Sequence, residues 1–290
     1  MNAPAPAVDA NSTAQGATPS TARITDWLLG GERHHQPADR RLGIRVLNAA
    51  PWTNEALELN RQYAHQTVAM LRACGIRQFV DLGSGLPTLN PRFPHTALSA
   101  GPDTTVIHVD CDPYVIEHGP QLLSSLPQPL SSWPGLHRFM HADLRNMLQI
   151  LRELPLHGLD PSQPAGFLLH DVLPWIPDNA DARASVGAIL DGAPPGSVLS
   201  LTHSTADLCR DGSAAAAARC FSAAGLPVRL RTAEEISELT EASARPWHVR
   251  APGIVPVGLY HPTRYRAPVP HHHSGGGYAV ILLHPEPAHH

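Results

Sequence analysis

Three aspartates stand where short apolar segments of the sequence end, in positions that could bind one ligand. Asp81 lies in the run Asp-Leu-Gly-Ser-Gly, which contains Gly83 and Gly85, and Asp110 and Asp143 follow the next two apolar runs. Glycine lets a ligand approach the main chain closely. Carboxylates at neighbouring strand ends of an open α/β sheet converge on one ligand and could accept the hydroxyls of a ribose. We therefore expect a nucleoside-like ligand, with helix capping by the same aspartates as the alternative.

The glycine loop favours a cationic ligand over a dinucleotide. The dinucleotide fingerprint has a third glycine, whereas Thr88 occupies that position here. A carboxylate two residues before Gly83 would repel a pyrophosphate. S-adenosylmethionine, by contrast, carries a sulfonium and an ammonium and no phosphate. The pattern therefore indicates a class I methyltransferase, with an NAD-dependent oxidoreductase as the weaker alternative.

Two histidines and an aspartate at later strand ends are candidate catalytic bases. His170 falls at the end of the fourth apolar run and His203 at the end of the fifth. Histidine suits proton transfer near neutral pH. Asp171 could orient His170 or replace it as the base, and because successive strand residues face opposite sides, we expect only one of the two to reach the ligand directly. Trp175 is the candidate for an apolar wall beside the substrate.

Strand and helix signals alternate along most of the chain. Five successive β–α units predict an α/β fold with a mostly parallel sheet, helices on both faces and a closing antiparallel hairpin. Apolar residues at helical spacing predict further helices before the first strand. The predicted strands are 78–82, 104–109, 137–141, 166–173, 197–202, 254–259 and 278–283, and the predicted helices are 39–47, 54–73, 114–125, 145–154, 181–190, 213–224 and 232–239.

Composition excludes several classes of protein. The 290 residues include four cysteines without C-x-x-C spacing, and the formal net charge is −4. We therefore expect free thiols, a reduced cytoplasmic setting and no nucleic-acid partner. The apolar runs are far shorter than the roughly 20 residues of a membrane helix, and the N-terminus has neither signal-peptide nor transit-peptide character. All 21 basic residues are arginine, which excludes Schiff-base and P-loop lysine chemistry.

In combination, the motifs resemble one family. The pattern R-x-x-D-x-x-L-G-G near the N-terminus and the later G-x-G-L-P-T loop are similar to those of the actinobacterial S-adenosylmethionine-dependent methyltransferases once called DUF574. The resemblance runs from residue 23 to residue 260 and implies a class I, Rossmann-like methyltransferase fold. It predicts a helical cover over 21–75 and a cofactor-binding domain over 76–284. The low-complexity N-terminal tail at 1–20 and the short C-terminal tail at 285–290 are expected to be disordered.

The resemblance also implies a set of cofactor-binding residues. The set is Arg23, Asn60, Arg61, Asp81, Gly83, Ser84, Gly85, Asp110, Asp112, Asp143 and Leu144. Within it, Asp81 and the glycines would line the methionine part of S-adenosylmethionine, Asp110 would hold the ribose, and Asp143 with its neighbour would hold the adenine. Arg61 would pair with the cofactor carboxylate or lie on a solvated helix face. Arg23 and Asp26 would either fix the cover by an ion pair or touch the ligand.

The sequence departs from the family pattern where we expect the substrate to bind, at Thr25, at 32–35 and at 170–175. The leading hypothesis is methylation of a small molecule at oxygen or nitrogen in specialised metabolism. The departures leave two alternatives open. One is a cyclisation or rearrangement in which the cofactor acts only electrostatically, and the other is a binding protein without turnover.

The expected partners are therefore S-adenosylmethionine and a small-molecule substrate, with no membrane partner and with a homodimer left open. We expect no metal site. The histidines at 34–35 and 271–273 have no carboxylate or cysteine nearby at a zinc-like spacing.

Overall fold

A central β-sheet organises the computed structural model, which describes residues 18–87, 100–125, 135–241, 246–260 and 276–286. The described strands are β1 (Gln78–Leu82), β2 (Thr105–Asp110), β3 (Leu136–His141), β4 (Gly166–His170), β5 (Val198–Ser204), β6 (His248–Val249), β7 (Val255–Pro256) and β8 (Gly277–Leu283). Their order is β3-β2-β1-β4-β5-β8-β6, with β7 also paired to β8. Strands β1 to β5 are parallel, and β8 runs antiparallel to its three neighbours. The predicted α/β fold class is confirmed.

The sheet order reverses direction between β1 and β4. The chain moves outward from β1 through β2 to β3, and then returns to place β4 on the other side of β1. Ligands of open α/β sheets bind at the carboxyl ends of the strands beside such a reversal. Asp81, Asp110 and His170 all lie at or near this edge, because they are the last or next-to-last residues of β1, β2 and β4.

Helices cover the sheet and precede it. The described helices are α1 (Thr21–Leu28), α2 (Pro37–Ala49), α3 (Thr53–Ala73), α4 (Pro113–Ser124), α5 (Met147–Glu153), α6 (Asn179–Gly192), α7 (Ser213–Ala223) and α8 (Ala233–Leu239). The expected capping box of α8 is present, since Thr232 accepts from the Glu235 amide and the Glu235 carboxylate accepts from the Thr232 amide. None of the described helices combines the length and apolar character needed to cross a membrane.

Several predicted boundaries differ from the structure. Strand β4 ends at His170, because the backbone turns at Asp171 and a 3-10 turn follows at Leu173–Trp175. The strand predicted at 254–259 is reduced to two residues followed by another 3-10 turn. Strand β6 was not predicted, because its two exposed residues are too few to show an alternating pattern. The residues 88–99, 261–275 and most of the predicted tails lie outside the described ranges.

Two apolar layers sandwich the sheet, as alternation along β1 illustrates. Val80 and Leu82 belong to a cluster with the sheet-facing residues of α5, α6 and α8. Phe79 points to the other face and packs with Val68 and Leu71 of α3. All five residues of β1 are buried, as is typical of a central parallel strand covered on both faces.

Helices α1 and α2 are fastened to each other by a buried ion pair. The Asp39 carboxylate is fully buried and accepts from Arg23 Nε at 2.8 Å and from the backbone amides of Ser20 and Gln36. This cluster joins the start of α1 to the first turn of α2. The two helices also pack against α7, with Leu42, Val46 and neighbouring apolar side chains at the contact.

Replacing Asp39 should destabilise this N-terminal region strongly. Asp39→Ala leaves Arg23 buried without its carboxylate, which typically costs roughly 3–5 kcal/mol of unfolding free energy. Urea denaturation followed by circular dichroism measures the loss. The control is Asp103→Ala, which removes an exposed carboxylate from its ion pairs with Arg72 and Arg77 and should cost much less. Equal losses in the two variants would contradict this account.

Candidate active site

The loop after β1 is built for close approach of a ligand. Gly83 and Gly85 both adopt positive φ angles, of 71° and 63°. A side chain at Gly83 would clash with Val172, whose Cγ2 lies 2.3 Å from the position of an added Cβ. At Gly85 the nearest neighbour of an added Cβ is Arg61, at 3.9 Å, so that the main chain is open on that side. The backbone therefore forms a cradle that a ligand can enter.

Asp110 secures the cradle from the end of β2. Its Oδ2 accepts a hydrogen bond from the Gly85 amide at 2.8 Å, and its Oδ1 accepts from the Asp112 amide at 2.9 Å. Burial raises the pKa of Asp110, while these two backbone hydrogen bonds act in the opposite direction. The carboxylate is thus held in one orientation beside the glycine loop.

Charged side chains of both signs meet at the end of β1. Asp81 is almost fully buried and lies 3.6 Å from Nδ1 of His108, its neighbour on β2. Arg61 extends from α3 to the same cavity, where its Nη2 makes a long, 3.5 Å contact with the Leu86 carbonyl. Burial lowers the pKa of Arg61, and the charges of Asp81 and Asp26 oppose that shift. A ligand that carries both an ammonium and a carboxylate would find a partner for each.

These residues line a cavity of about 270 Å³. The charged and glycine-loop part of its lining, here called the glycine-loop wall, includes Arg61, Asp81, Gly83, Gly85, Asp110 and Leu144. The aromatic and small apolar part of its lining, here called the apolar wall, includes Trp52, Leu57, Trp175, Ala217, Ala218 and Phe221. The predicted residues Asn60 and Ser84 also line the cavity, and Asn60 Oδ1 accepts a hydrogen bond from Thr202 Oγ1 at 2.7 Å.

Three of the predicted cofactor residues do not line this cavity. Arg23 is engaged with Asp39 inside the N-terminal helices. Asp112 caps α4 and accepts a hydrogen bond from Ser20 Oγ. Asp143 is paired with Arg145 and lines a second pocket of about 400 Å³, which shares Cys111 with the first. Asp112 and Asp143 are N-caps, of α4 and of the 3-10 turn at Leu144–Asn146, and a position at an element boundary does not by itself determine which pocket a side chain faces.

His170 also lines the cavity. Its Nε2 is 2.9 Å from the Ser200 hydroxyl, which is in turn 2.9 Å from the Tyr63 hydroxyl. The Tyr63 ring also packs edge-to-face on the imidazole, at 5.4 Å between centroids. Burial lowers the pKa of His170 to about 4, so that the imidazole is neutral at neutral pH. The ring is oriented by two residues that sequence reasoning did not select.

Asp171 also lines the cavity, so the expectation that only one of these two neighbours reaches it is wrong. Its φ of 57° is the one positive value among the described non-glycine residues, and it breaks the alternation of the strand. Oδ1 accepts from the Ser204 amide at 2.8 Å and from the Ser204 hydroxyl at 2.7 Å. Burial raises the pKa of Asp171 to about 6. A strained backbone of this kind is commonly retained at functional sites.

His203 has both ring nitrogens engaged. Nδ1 lies 2.8 Å from the Ser204 carbonyl, to which it can only donate, and Nε2 therefore accepts from Arg231 Nη1 at 3.0 Å. Burial lowers the pKa of His203 to about 3. With its lone pair bound by a guanidinium, the imidazole orients its neighbours and is not free to take a proton from a ligand.

Arg231 is a fully buried cation that sequence reasoning missed. Besides His203, it donates to the Asn179 side chain and to the backbone carbonyls of Leu173, Ile176 and Asp178. All five guanidinium N–H groups are thereby used. Nothing in the local sequence distinguishes this arginine from the exposed ones, because its partners come from other segments of the chain.

Comparison with known proteins identifies the family. A family model described as S-adenosyl methyltransferase matches residues 8–282. The chain belongs to this S-adenosyl methyltransferase family. The enzyme is therefore a methyltransferase that uses S-adenosylmethionine, as the resemblance in sequence implied. Among curated proteins, none matches it in sequence.

Solved structures agree with the family assignment. The methyltransferase is 30% identical to a DUF574 family protein from Streptomyces avermitilis, with a TM-score of 0.79 and coverage of 92% of this chain and 98% of the other. It is also 30% identical to a candidate methyltransferase from Thermobifida fusca, with a TM-score of 0.75 and coverage of 96% and 100%. The mitomycin 7-O-methyltransferase, 16% identical with a TM-score of 0.52 over 89% of this chain and 60% of the other, shares the fold.

The raised pKa of Asp171 gives the methyltransferase a specific pH dependence of stability. Because the folded protein binds this proton more tightly than the unfolded chain, the stabilisation is present below about pH 4 and is lost as the pH rises through about 6. Asp171→Asn removes this loss. As the pH rises from about 4 to about 7, the unfolding free energy of the variant should therefore increase by roughly 3 kcal/mol relative to that of the parent.

Urea denaturation at several pH values tests this expectation. Asp103→Asn is the matched control. A hydrogen bond from Arg72 lowers the pKa of Asp103, so that protonation of Asp103 changes the stability only in more acidic solutions. A stability difference for Asp171→Asn that does not change with pH would refute the raised pKa.

Proposed function

We propose that the protein methylates a small molecule at an oxygen or nitrogen atom, with the methyl donor bound along the glycine-loop wall and the acceptor against the apolar wall. The observation that carries this proposal is the shared cavity, which is lined both by Arg61, Asp81 and Asp110 and by aromatic and small apolar residues. Such a division suits a polar cofactor next to a less polar substrate.

The donor set of the glycine-loop wall fits S-adenosylmethionine. Arg61 can bind its carboxylate, Asp81 can bind its ammonium, and Asp110 can accept hydrogen bonds from the ribose hydroxyls. The open backbone at Gly85 leaves room beside Arg61 for the amino-acid part. Leu144 and Cys111, which line the cavity past Asp110, are suited to the adenine ring. Asp143 could reach the adenine amino group only if its side chain leaves Arg145.

Bound S-adenosylmethionine supplies an electrophilic methyl group on a positively charged sulfur. The acceptor heteroatom forms a bond to the methyl carbon as the carbon–sulfur bond breaks, and the electron pair of that bond stays on sulfur. The proton of the acceptor passes to a side chain of the protein. Alignment of the acceptor with the methyl carbon supplies much of the rate enhancement.

Asp171 is better suited than His170 to take this proton. The pKa of Asp171 is raised to about 6, whereas that of His170 is lowered to about 4, so the carboxylate is the stronger base near neutral pH. The second carboxylate oxygen of Asp171 has no hydrogen bond from the described residues, while Oδ1 is fixed by Ser204. His170, linked to Ser200 and Tyr63, is assigned the role of orienting the acceptor.

Binding of S-adenosylhomocysteine, measured by isothermal titration calorimetry, tests the cofactor site. We expect a dissociation constant in the micromolar range for the parent, the usual scale for such ligands. Asp110→Asn should weaken binding by roughly tenfold or more, because a neutral amide replaces a charged hydrogen-bond acceptor. Asp103 precedes β2, at the opposite edge of the sheet from the cavity. Asp103→Asn should therefore bind S-adenosylhomocysteine as tightly as the parent does.

Absence of binding to the parent protein would refute the proposed function. If Asp110→Asn binds S-adenosylhomocysteine as tightly as the parent, the ribose must contact another residue, and the proposed activity still stands. Turnover can then be followed as transfer of a labelled methyl group from S-adenosylmethionine to a product that gains one methylene in mass.

A further inference from the structure

The geometry of the apolar wall points to the acceptor: we infer that it is an uncharged aromatic compound that presents a single O–H or N–H donor to Asp171. This inference rests on the proposed function, because it assigns the glycine-loop wall to the methyl donor. It goes further by naming the chemical class of the molecule that the remaining part of the cavity selects.

The apolar wall has the shape and surface that a flat ring requires. Trp175 and Phe221 meet edge-to-face, with centroids 5.1 Å apart, and so form a fixed aromatic corner. Trp52 is held by a 2.9 Å hydrogen bond from its Nε1 to Ser213 Oγ. Ala217 and Ala218 of α7 line the same cavity, and their small side chains leave space. Rigid aromatic walls beside small residues favour planar ligands.

The charges of the described lining residues favour an uncharged acceptor over an anionic one. Among the described lining residues, Arg61 is the sole arginine, and the proposed function assigns it to the carboxylate of the methyl donor. The lining histidines His170 and His203 are neutral near pH 7, because burial lowers their pKa values to about 4 and about 3. A carboxylate or phosphate placed here would lose its hydration without gaining a cationic partner from the described lining residues, which is costly.

A protonated amine fits this site less well than a neutral acceptor. Asp171 would attract an ammonium group, but the lone pair that must attack the methyl carbon is then occupied by a proton, which has to leave before the reaction. A phenol or an arylamine is already uncharged near neutral pH and keeps a lone pair when it binds. In either case the new bond joins its heteroatom to the methyl carbon, and its proton passes to Asp171.

The hydrogen bonds that Asp171 already accepts explain why the acceptor should present one O–H or N–H donor to it. Oδ1 already accepts two hydrogen bonds from Ser204, whereas the other carboxylate oxygen accepts none from the described residues. A ligand with an O–H or N–H satisfies that oxygen. A ligand of the same shape without the donor would bury it unpaired, and sites built around such a hydrogen bond discriminate strongly against the analogue that lacks it.

Three probes with the same ring system test these requirements. They are 2-naphthol, which has the donor, 2-methoxynaphthalene, which lacks it, and 2-naphthoate, which is anionic. Binding of each to the full chain saturated with S-adenosylhomocysteine is measured by calorimetry. We expect 2-naphthol to bind at least about tenfold more tightly than either analogue. With S-adenosylmethionine in place of S-adenosylhomocysteine, 2-naphthol should be converted to its methyl ether.

Two variants separate the contributions of the donor and the wall. In Asp171→Asn the preference for 2-naphthol over its methyl ether should fall below about threefold, because the side chain no longer presents a carboxylate oxygen. In Ala218→Phe, 2-naphthol binding should be lost while S-adenosylhomocysteine binding persists, because the added ring fills the apolar wall and not the glycine-loop wall. Retained cofactor binding also shows that each variant is folded.

The outcomes distinguish this inference from the function on which it rests. If S-adenosylhomocysteine does not bind the parent, the proposed function and the inference both fail. If it binds but 2-naphthoate binds as tightly as 2-naphthol, or the methyl ether does, or none of the three binds, the inference alone is overturned. A preference for 2-naphthol that survives unchanged in Asp171→Asn would also overturn it.

Discussion

The guanidinium of Arg231 connects the segments that shape the proposed substrate side of the cavity. It bonds to the backbone between β4 and α6, which carries Trp175, and to His203 at the end of β5. His203 in turn donates to the Ser204 carbonyl, and Ser204 holds Asp171. A lysine could not make the same set of bonds, since it has three donors on one nitrogen, whereas arginine has five in a planar fork. In a chain whose 21 basic residues are all arginine, this position uses a property that only arginine has.

The two walls of the cavity arise from different kinds of constraint. The glycine-loop wall depends on short segments at the ends of parallel strands, so the topology of the sheet brings Asp81 and Asp110 together. The apolar wall depends on packing between the N-terminal helices and α7, which are distant in sequence and joined by contacts such as Trp52 with Ser213. The proposed cofactor side therefore follows from the topology of the sheet, whereas the proposed substrate side follows from side-chain packing between distant segments.

The same difference explains what could be predicted from the sequence. The boundaries of β1 were predicted correctly, because a buried apolar run ended by glycine is a local signal. Asp171 was selected, but its unusual backbone angle was not foreseen, since strand alternation says nothing about where a strand stops. Arg231 was missed because its five bonds are all to residues at least 28 positions away. Asp143 and Arg23 were expected at the cofactor, and nearby Arg145 and Asp39 engage them elsewhere.

A chain of hydrogen bonds connects the N-terminal helices to the proposed ribose site. Asp39 accepts from Arg23 and from the Ser20 amide, the Ser20 hydroxyl donates to Asp112, and the Asp112 amide donates to Asp110. Opening of these helices and movement of Asp110 are thereby energetically linked. This linkage is reciprocal. A ligand that fixes Asp110 in place makes the helices harder to open, and a change that loosens the helices weakens the binding of that ligand by the same free energy.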